Sequence, residues 1–176
     1  MLGDVPLQSL DDTGAGAEAG RQLYDSVLQN NLSLCLWRFA RRQRQLNQTV
    51  AEPLFDYDKQ YQLPADYIQA VQVDQGRDFR LNADKLMTNY DEVNLEYIAK
   101  VDESNMPPYF VTLMEYAMAI VLAIPVTENA TARQQFLVTY ADQRAIAMAR
   151  DSMQERNVQI KSSPFAQARR GNIRRG

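Results

Sequence analysis

The segments that decide the fold class lie in the middle of the chain, in "YIQAVQV" at residues 67–73 and "DFRLNADKLMTN" at residues 78–89. The first alternates apolar and polar side chains, which is the period of a strand with one buried face. The second predicts two short strands around a tight turn at 82–84, because Asn and Asp are typical turn residues. Similar alternation on either side extends the predicted β-region over residues 38–102, as one small antiparallel sheet.

Helical patterns flank this region on both sides. Apolar residues recur at helical spacing over 13–36, a nearly uniform apolar segment covers 105–125, and a third pattern covers 129–157. In the third segment the stripe predicted to face the core is Leu137, Tyr140, Ala141, Arg144, Ala145 and Met148. The predicted fold is therefore α+β and mainly helical: a bundle of about three helices with a small antiparallel sheet. It forms one domain at 1–157, followed by an extended basic tail at 158–176.

Charge is divided unevenly along the chain. Residues 161–176 contain five basic side chains and no acidic ones. The whole chain carries a net charge of −3, so residues 1–160 carry −8. An acidic body repels nucleic acid, and the basic tail is a separate feature on it. The single cysteine and the lack of a recognisable signal peptide indicate a protein of a reducing compartment.

Residues that usually carry catalysis are sparse in this chain. It contains no histidine, which removes the commonest general base and metal ligand. Cys35 lies among apolar residues, so we expect a buried small hydrophobe rather than a nucleophile. Asp56 and Asp58 lie two apart on a predicted strand, where we expect a solvated face, with a weak divalent-cation site as the alternative. We assign no catalytic, cofactor-binding or metal residues and expect no enzyme; a glycosidase that uses carboxylates alone stays open as an alternative.

Two further patterns have both a functional and a structural interpretation. In "GAGAEAG", Gly14, Gly16 and Ala19 match the spacing of a dinucleotide-binding loop, but no strand precedes them, so we interpret the segment as a helix start. The apolar helix at 105–125 contains Glu115, which favours a buried helix over a membrane span.

A basic cluster follows Trp37, at Arg38, Arg41, Arg42 and Arg44. Basic residues beside an aromatic residue are found at nucleic-acid contacts. They equally form ion pairs with the acidic surface of a neighbouring subunit. We predict a subunit interface for this cluster, and a nucleic-acid-binding module that uses the cluster and the tail is the alternative.

Three segments, in order, carry a resemblance to a known family. The first is "LGDVPLQSLDD" with "LYDSVLQNNLSLCLWRFARR", the second is "YDKQYQLPADYIQAVQV", and the third is "LEYIAKVDESNMPPYF" with "TENATARQQFLVTYADQRAIAMARDSMQ". The positions that carry it are Leu2, Gly3, Pro6, Ser9, Leu10, Tyr24, Trp37, Phe39, Ala40, Tyr61, Leu63, Pro64, Asp66, Tyr97 and Ala117. The most specific part is "YQLPAD" placed after "WRFA". The ordered set resembles the head-to-tail adaptor proteins of short-tailed bacteriophages, also called tail tubular protein A.

The resemblance implies a mainly helical fold with a small β-region and a structural role in the virion. Family members form a twelve-subunit ring beneath the portal protein. The ring continues the channel through which genomic DNA passes without sequence-specific binding, and the tail nozzle (tail tubular protein B-like) attaches to it. The resemblance implies no cofactor and no enzymatic activity. It also implies a helix before the segment at Leu2–Pro6, nearly all of it ahead of Leu2.

In several family members an extended C-terminal segment lies against the portal, which suggests a role for the basic tail. On that basis Phe165 is the expected apolar anchor. The charges expected to pair with portal carboxylates are Arg169, Arg170, Arg174 and Arg175. We therefore predict a docking tail for a protein partner.

Overall fold

The computed structural model describes residues 15–51, 53, 56–74, 76–127 and 130–154. In chain order the helices and strands are α1 (Ala15–Ser33), β1 (Arg41–Gln45), β2 (Lys59–Gln62), β3 (Tyr67–Val73), β4 (Arg80–Asn82), β5 (Lys85–Thr88), β6 (Asn94–Ala99), α2 (Pro108–Thr127) and α3 (Ala130–Ser152). Short 3-10 turns at Arg38–Ala40 and Glu103–Asn105 connect the two kinds of structure. The α+β class is confirmed. The three predicted helical segments fall over α1, α2 and α3, whereas the predicted tail at 158–176 lies outside the described residues.

The helices pack around a shared apolar core. α2 contacts both α1 and α3. It begins at Pro108, a residue suited to the first helical turn because its missing N–H would have no partner there. Phe110 and Leu113 of α2 are fully buried against Leu28 and Leu32 of α1. α2 therefore contributes more residues to this core than α1 or α3 does, as its uniformly apolar sequence predicts.

The inward face of α3 differs from the predicted stripe. Tyr140 and Met148 pack against the core as predicted, but Ala141 and Ala145 are exposed. The buried position is Ala147 instead. The prediction was wrong by part of a turn because alanine fits either face of a helix and does not fix its rotation.

The strands form two antiparallel sheets, not the one sheet that was predicted. Sheet A has the order β1-β6-β3, and sheet B has the order β2-β5-β4. The predicted turn at 82–84 is confirmed, since β4 pairs with β5 there and Ala83 adopts a positive φ of 50°. Alternation along a strand shows which side chains share a face, but it does not identify the strand's neighbour, and this is why the division into two sheets was missed.

The two sheets are joined by the chain that continues from β1. The Leu46 amide donates to the Val93 carbonyl next to sheet A. Beyond it, Thr49 bonds to Gln60, and Gln48 forms a bridge with Tyr61 of sheet B. The inner faces enclose a second core, formed by Leu46, Tyr61, Leu63, Val73, Leu86, Val93, Leu95, Tyr97 and Ala99. Within the part of the chain that is described, no helix is long and apolar enough to cross a membrane.

Candidate partner-binding surface

The segment between α1 and β1 holds the helices and the sheets together. Trp37 is fully buried, and its indole Nε1 donates to the Asn31 carbonyl at 2.8 Å. Its ring meets the ring of Phe110 edge-on, with centroids 5.2 Å apart. Phe39 adds a second contact with Phe110 at 4.8 Å. The aromatic residues that carry the resemblance therefore fix this segment against α2.

A buried carboxylate anchors the same segment to α3. Asp151 is 2% exposed, and its two oxygens accept hydrogen bonds from the Arg38 amide at 2.9 and 3.1 Å. The Tyr109 hydroxyl donates to Asp151 Oδ1 at 2.9 Å. Burial, and then the bond to this carboxylate, raise the pKa of Tyr109 above its usual value. Sequence reasoning missed Asp151, because an acid near the end of a polar helix usually faces water.

The "YQLPAD" segment joins the two sheets. Tyr61 is buried, and its hydroxyl donates to the Tyr90 carbonyl at 2.6 Å. Asp66 accepts from Arg42 Nη1 at 2.6 Å and from the Tyr97 hydroxyl at 3.1 Å. Burial raises the pKa of Tyr97, and the bond to Asp66 raises it further. Leu63 is also buried, as is Pro64 next to it, so the residues of this motif contribute to the packing of the fold.

The four arginines predicted as a subunit interface do not form one patch. Arg38 is bonded to Asp151 through its backbone, and its guanidinium donates to the Asp151 carbonyl at 3.1 Å. The other three lie on β1, where successive side chains point to opposite faces of the sheet. Arg42 and Arg44 therefore share one face, with Arg42 paired to Asp66, and Arg41 lies on the other face. Arg44 is exposed on this edge strand, and the interface role stays a prediction.

A polar groove of about 370 Å³ opens at the end of sheet A. Its lining consists of Gln43, Arg44, Gln45, Gln72, Asp74, Asn94, Leu95 and Glu96. Burial acts to raise the pKa of Asp74, but hydrogen bonds from Asn94 and the charge of Arg77 hold it below its usual value. Gln43 donates to Glu96 at 3.3 Å. The carboxylates of Asp74 and Glu96 thus have partners within the fold. The side-chain amides that line the groove can form hydrogen bonds with a polar surface of another molecule.

An apolar surface lies where the C-terminal end of α3 meets the loop after α1. Leu34 and Leu36 are 37% and 38% exposed, and Met153 is 80% exposed. Cys35 lies between the two leucines and is half-buried, less so than predicted. Burial, and then the nearby Asp151 carboxylate, raise the pKa of the Cys35 thiol, so less thiolate forms at neutral pH. This environment does not activate a nucleophile.

The remaining predicted sites have different outcomes. Asp56 and Asp58 do not share a strand face, because β2 begins only at Lys59; Asp56 has a φ of 64° and pairs with Arg80 at 2.6 Å. Among the described residues no three acidic or thiol side chains are grouped so as to hold a metal ion.

The predicted portal-docking residues lie outside the described part of the chain; they are Phe165, Arg169, Arg170, Arg174 and Arg175. Gly14 of the glycine-rich pattern also lies outside it. Gly16 and Ala19 belong to α1, which begins at Ala15. The pattern therefore leads into a helix, as the structural interpretation predicts.

No family model matches the chain, and no curated protein matches it.

Proposed function

We propose that this chain is a structural adaptor of a phage virion. In this role it forms a twelve-subunit ring that joins the portal protein to the tail nozzle, and genomic DNA passes through the lumen. The ring subunit carries no chemistry of its own. Its tail at 158–176 docks into the portal assembly.

One observation supports this proposal most: five of the described positions that carry the family resemblance are contact points of the fold. Trp37 and Phe39 tie the α1–β1 segment to α2. Tyr61 of sheet B bonds to the loop between β5 and β6, and Asp66, just before β3, bonds to Tyr97 of β6. Tyr97, the partner of Asp66, is buried between the sheets. Residues far apart in sequence thus act together in holding one arrangement. A motif set shared by proteins of one fold requires contacts of this kind.

The charge distribution supports the same role. The acidic balance of residues 1–160 repels DNA phosphates, as a conduit for DNA requires. The basic tail supplies the complementary charge for portal carboxylates. Arg42, which a nucleic-acid-binding module would use, is already paired with Asp66. We therefore favour a protein partner over DNA.

Co-sedimentation with portal rings tests the proposal. The informative variant reverses the first arginine pair, Arg169→Glu with Arg170→Glu, and the matched control reverses two exposed arginines of α3, Arg133→Glu with Arg150→Glu. We expect the tail variant to lose binding by about tenfold or more and the control to bind as the wild type does. Equal binding by both variants would refute tail docking. Retention on DNA that falls steeply with salt would favour the nucleic-acid-binding alternative.

A further inference from the structure

At one end of the helical layer, an apolar end formed by Leu34, Leu36 and Met153 is partly exposed: the two leucines by more than a third and Met153 for the most part. The leucines lie within four residues of Arg38, and Met153 lies two residues after Asp151. The Arg38 amide donates to Asp151, and the charge of Asp151 acts on the Cys35 thiol, so the loop that carries the leucines lies beside the end of α3 that carries Met153. Exposed apolar groups that are grouped in this way are typical of a surface that another segment covers.

The chain itself supplies a candidate for that segment. The described structure ends at Gln154, directly after Met153, and residues 155–176 follow. Phe165 is the largest apolar side chain of this stretch. It lies eleven positions after Gln154, and at about 3.3 Å per position the chain between them spans up to roughly 36 Å. That length is ample to turn back to a surface located at the start of the segment.

We propose that in the free protein residues 155–176 fold back over the apolar end, with Phe165 against Leu34 and Leu36. A tethered segment has an effective concentration on the order of 1 mM, which exceeds the working concentration of any second copy. A general attraction keeps the segment near the rest of the chain, because residues 161–176 carry +5 and the rest carries −8. The inference concerns the protein before it meets a partner, so it does not depend on the adaptor proposal. Its failure would leave portal binding untouched.

Cys35 provides a native reporter, since it is the single cysteine of the chain and lies between the two leucines. We would measure its reaction rate with Ellman's reagent in the full chain, at about pH 9 because its pKa is raised. If the contact has a dissociation constant of about 0.3 mM for the untethered segment, the surface is uncovered about a quarter of the time. Phe165→Ser, which removes the contact, should therefore speed the reaction about fourfold. Val50→Ser, at a fully exposed position of the β-region, is the control and should leave the rate unchanged. A rate that Phe165→Ser does not change would overturn the proposal.

A disulfide trap identifies the occupant. With oxidised glutathione as the electron acceptor, Phe165→Cys should form a disulfide with Cys35 within one chain, faster than the control Ile173→Cys. The product should stay monomeric on a non-reducing gel, at a rate independent of protein concentration. A disulfide-linked dimer would mean that the tail of a second copy covers the surface, and equal rates for both variants would mean that Phe165 has no defined place. Either result would overturn the proposal.

Discussion

Replacing Asp151 with alanine should destabilise the protein far more than replacing any exposed acid. The carboxylate is 2% exposed and accepts bonds from the Arg38 amide and the Tyr109 hydroxyl. A hydrogen bond to a charged group contributes about 1.5–3 kcal/mol. Two such bonds are lost, but Tyr109 is half-buried and keeps its contact with Gln154, so we expect a loss of about 3 kcal/mol. That is a large share of the roughly 5–15 kcal/mol that holds a domain folded.

Urea unfolding followed by circular dichroism measures this loss. With a slope of about 2 kcal/mol per molar, Asp151→Ala should lower the midpoint by about 1.5 M. Tyr109→Phe removes one donor and should cost about 1 kcal/mol. Asp142→Ala, at an exposed position of the same helix, should stay within about 0.5 kcal/mol of the wild type. If Asp151→Ala costs no more than Asp142→Ala, the hydrogen-bonded anchor between α3 and the α1–β1 segment is wrong.

Two further results are expected. Asp66→Ala should lower the free energy of unfolding in urea by about 1–2 kcal/mol, because it removes the shared partner of Arg42 and Tyr97. The control Asp91→Ala breaks an ion pair on a mostly exposed carboxylate and should cost under about 0.5 kcal/mol. Similar losses in the two variants would contradict the role of Asp66. Burial raises the pKa of Tyr24 to about 12, so its stabilising contribution is full below about pH 10 and is lost as the pH rises toward 12. Between about pH 10 and pH 12 the urea midpoint of Tyr24→Phe should fall less steeply with rising pH than that of the wild type. An unchanged slope would contradict the raised pKa of Tyr24.

The sequence predicted those elements whose residues carry a strong local signal. The turn at 82–84 was found because Asn and Asp flank the position that takes a positive φ. α2 was found because a long apolar run without turn residues has few alternatives to a buried helix. The interpretation of Cys35 as a non-nucleophile agrees with its raised pKa, although the thiol is more exposed than predicted.

The features that were missed depend on partners distant in sequence. β1 reads "RRQRQ", and its residues are polar on both faces, so only its pairing with β6 defines it as a strand. Asp151 acquires its role from the Arg38 amide, 113 residues away in sequence. The predicted arginine cluster was judged by spacing alone, whereas the fold sends Arg41 to the opposite face from Arg42 and Arg44. Local patterns carry none of this information.

Electron microscopy of this protein mixed with portal rings from the same source tests the adaptor proposal most directly. We predict rings stacked coaxially on the portal, with an open central channel and with the chain's basic tail directed toward the portal. Portal rings that remain bare at saturating protein concentration would contradict the proposal.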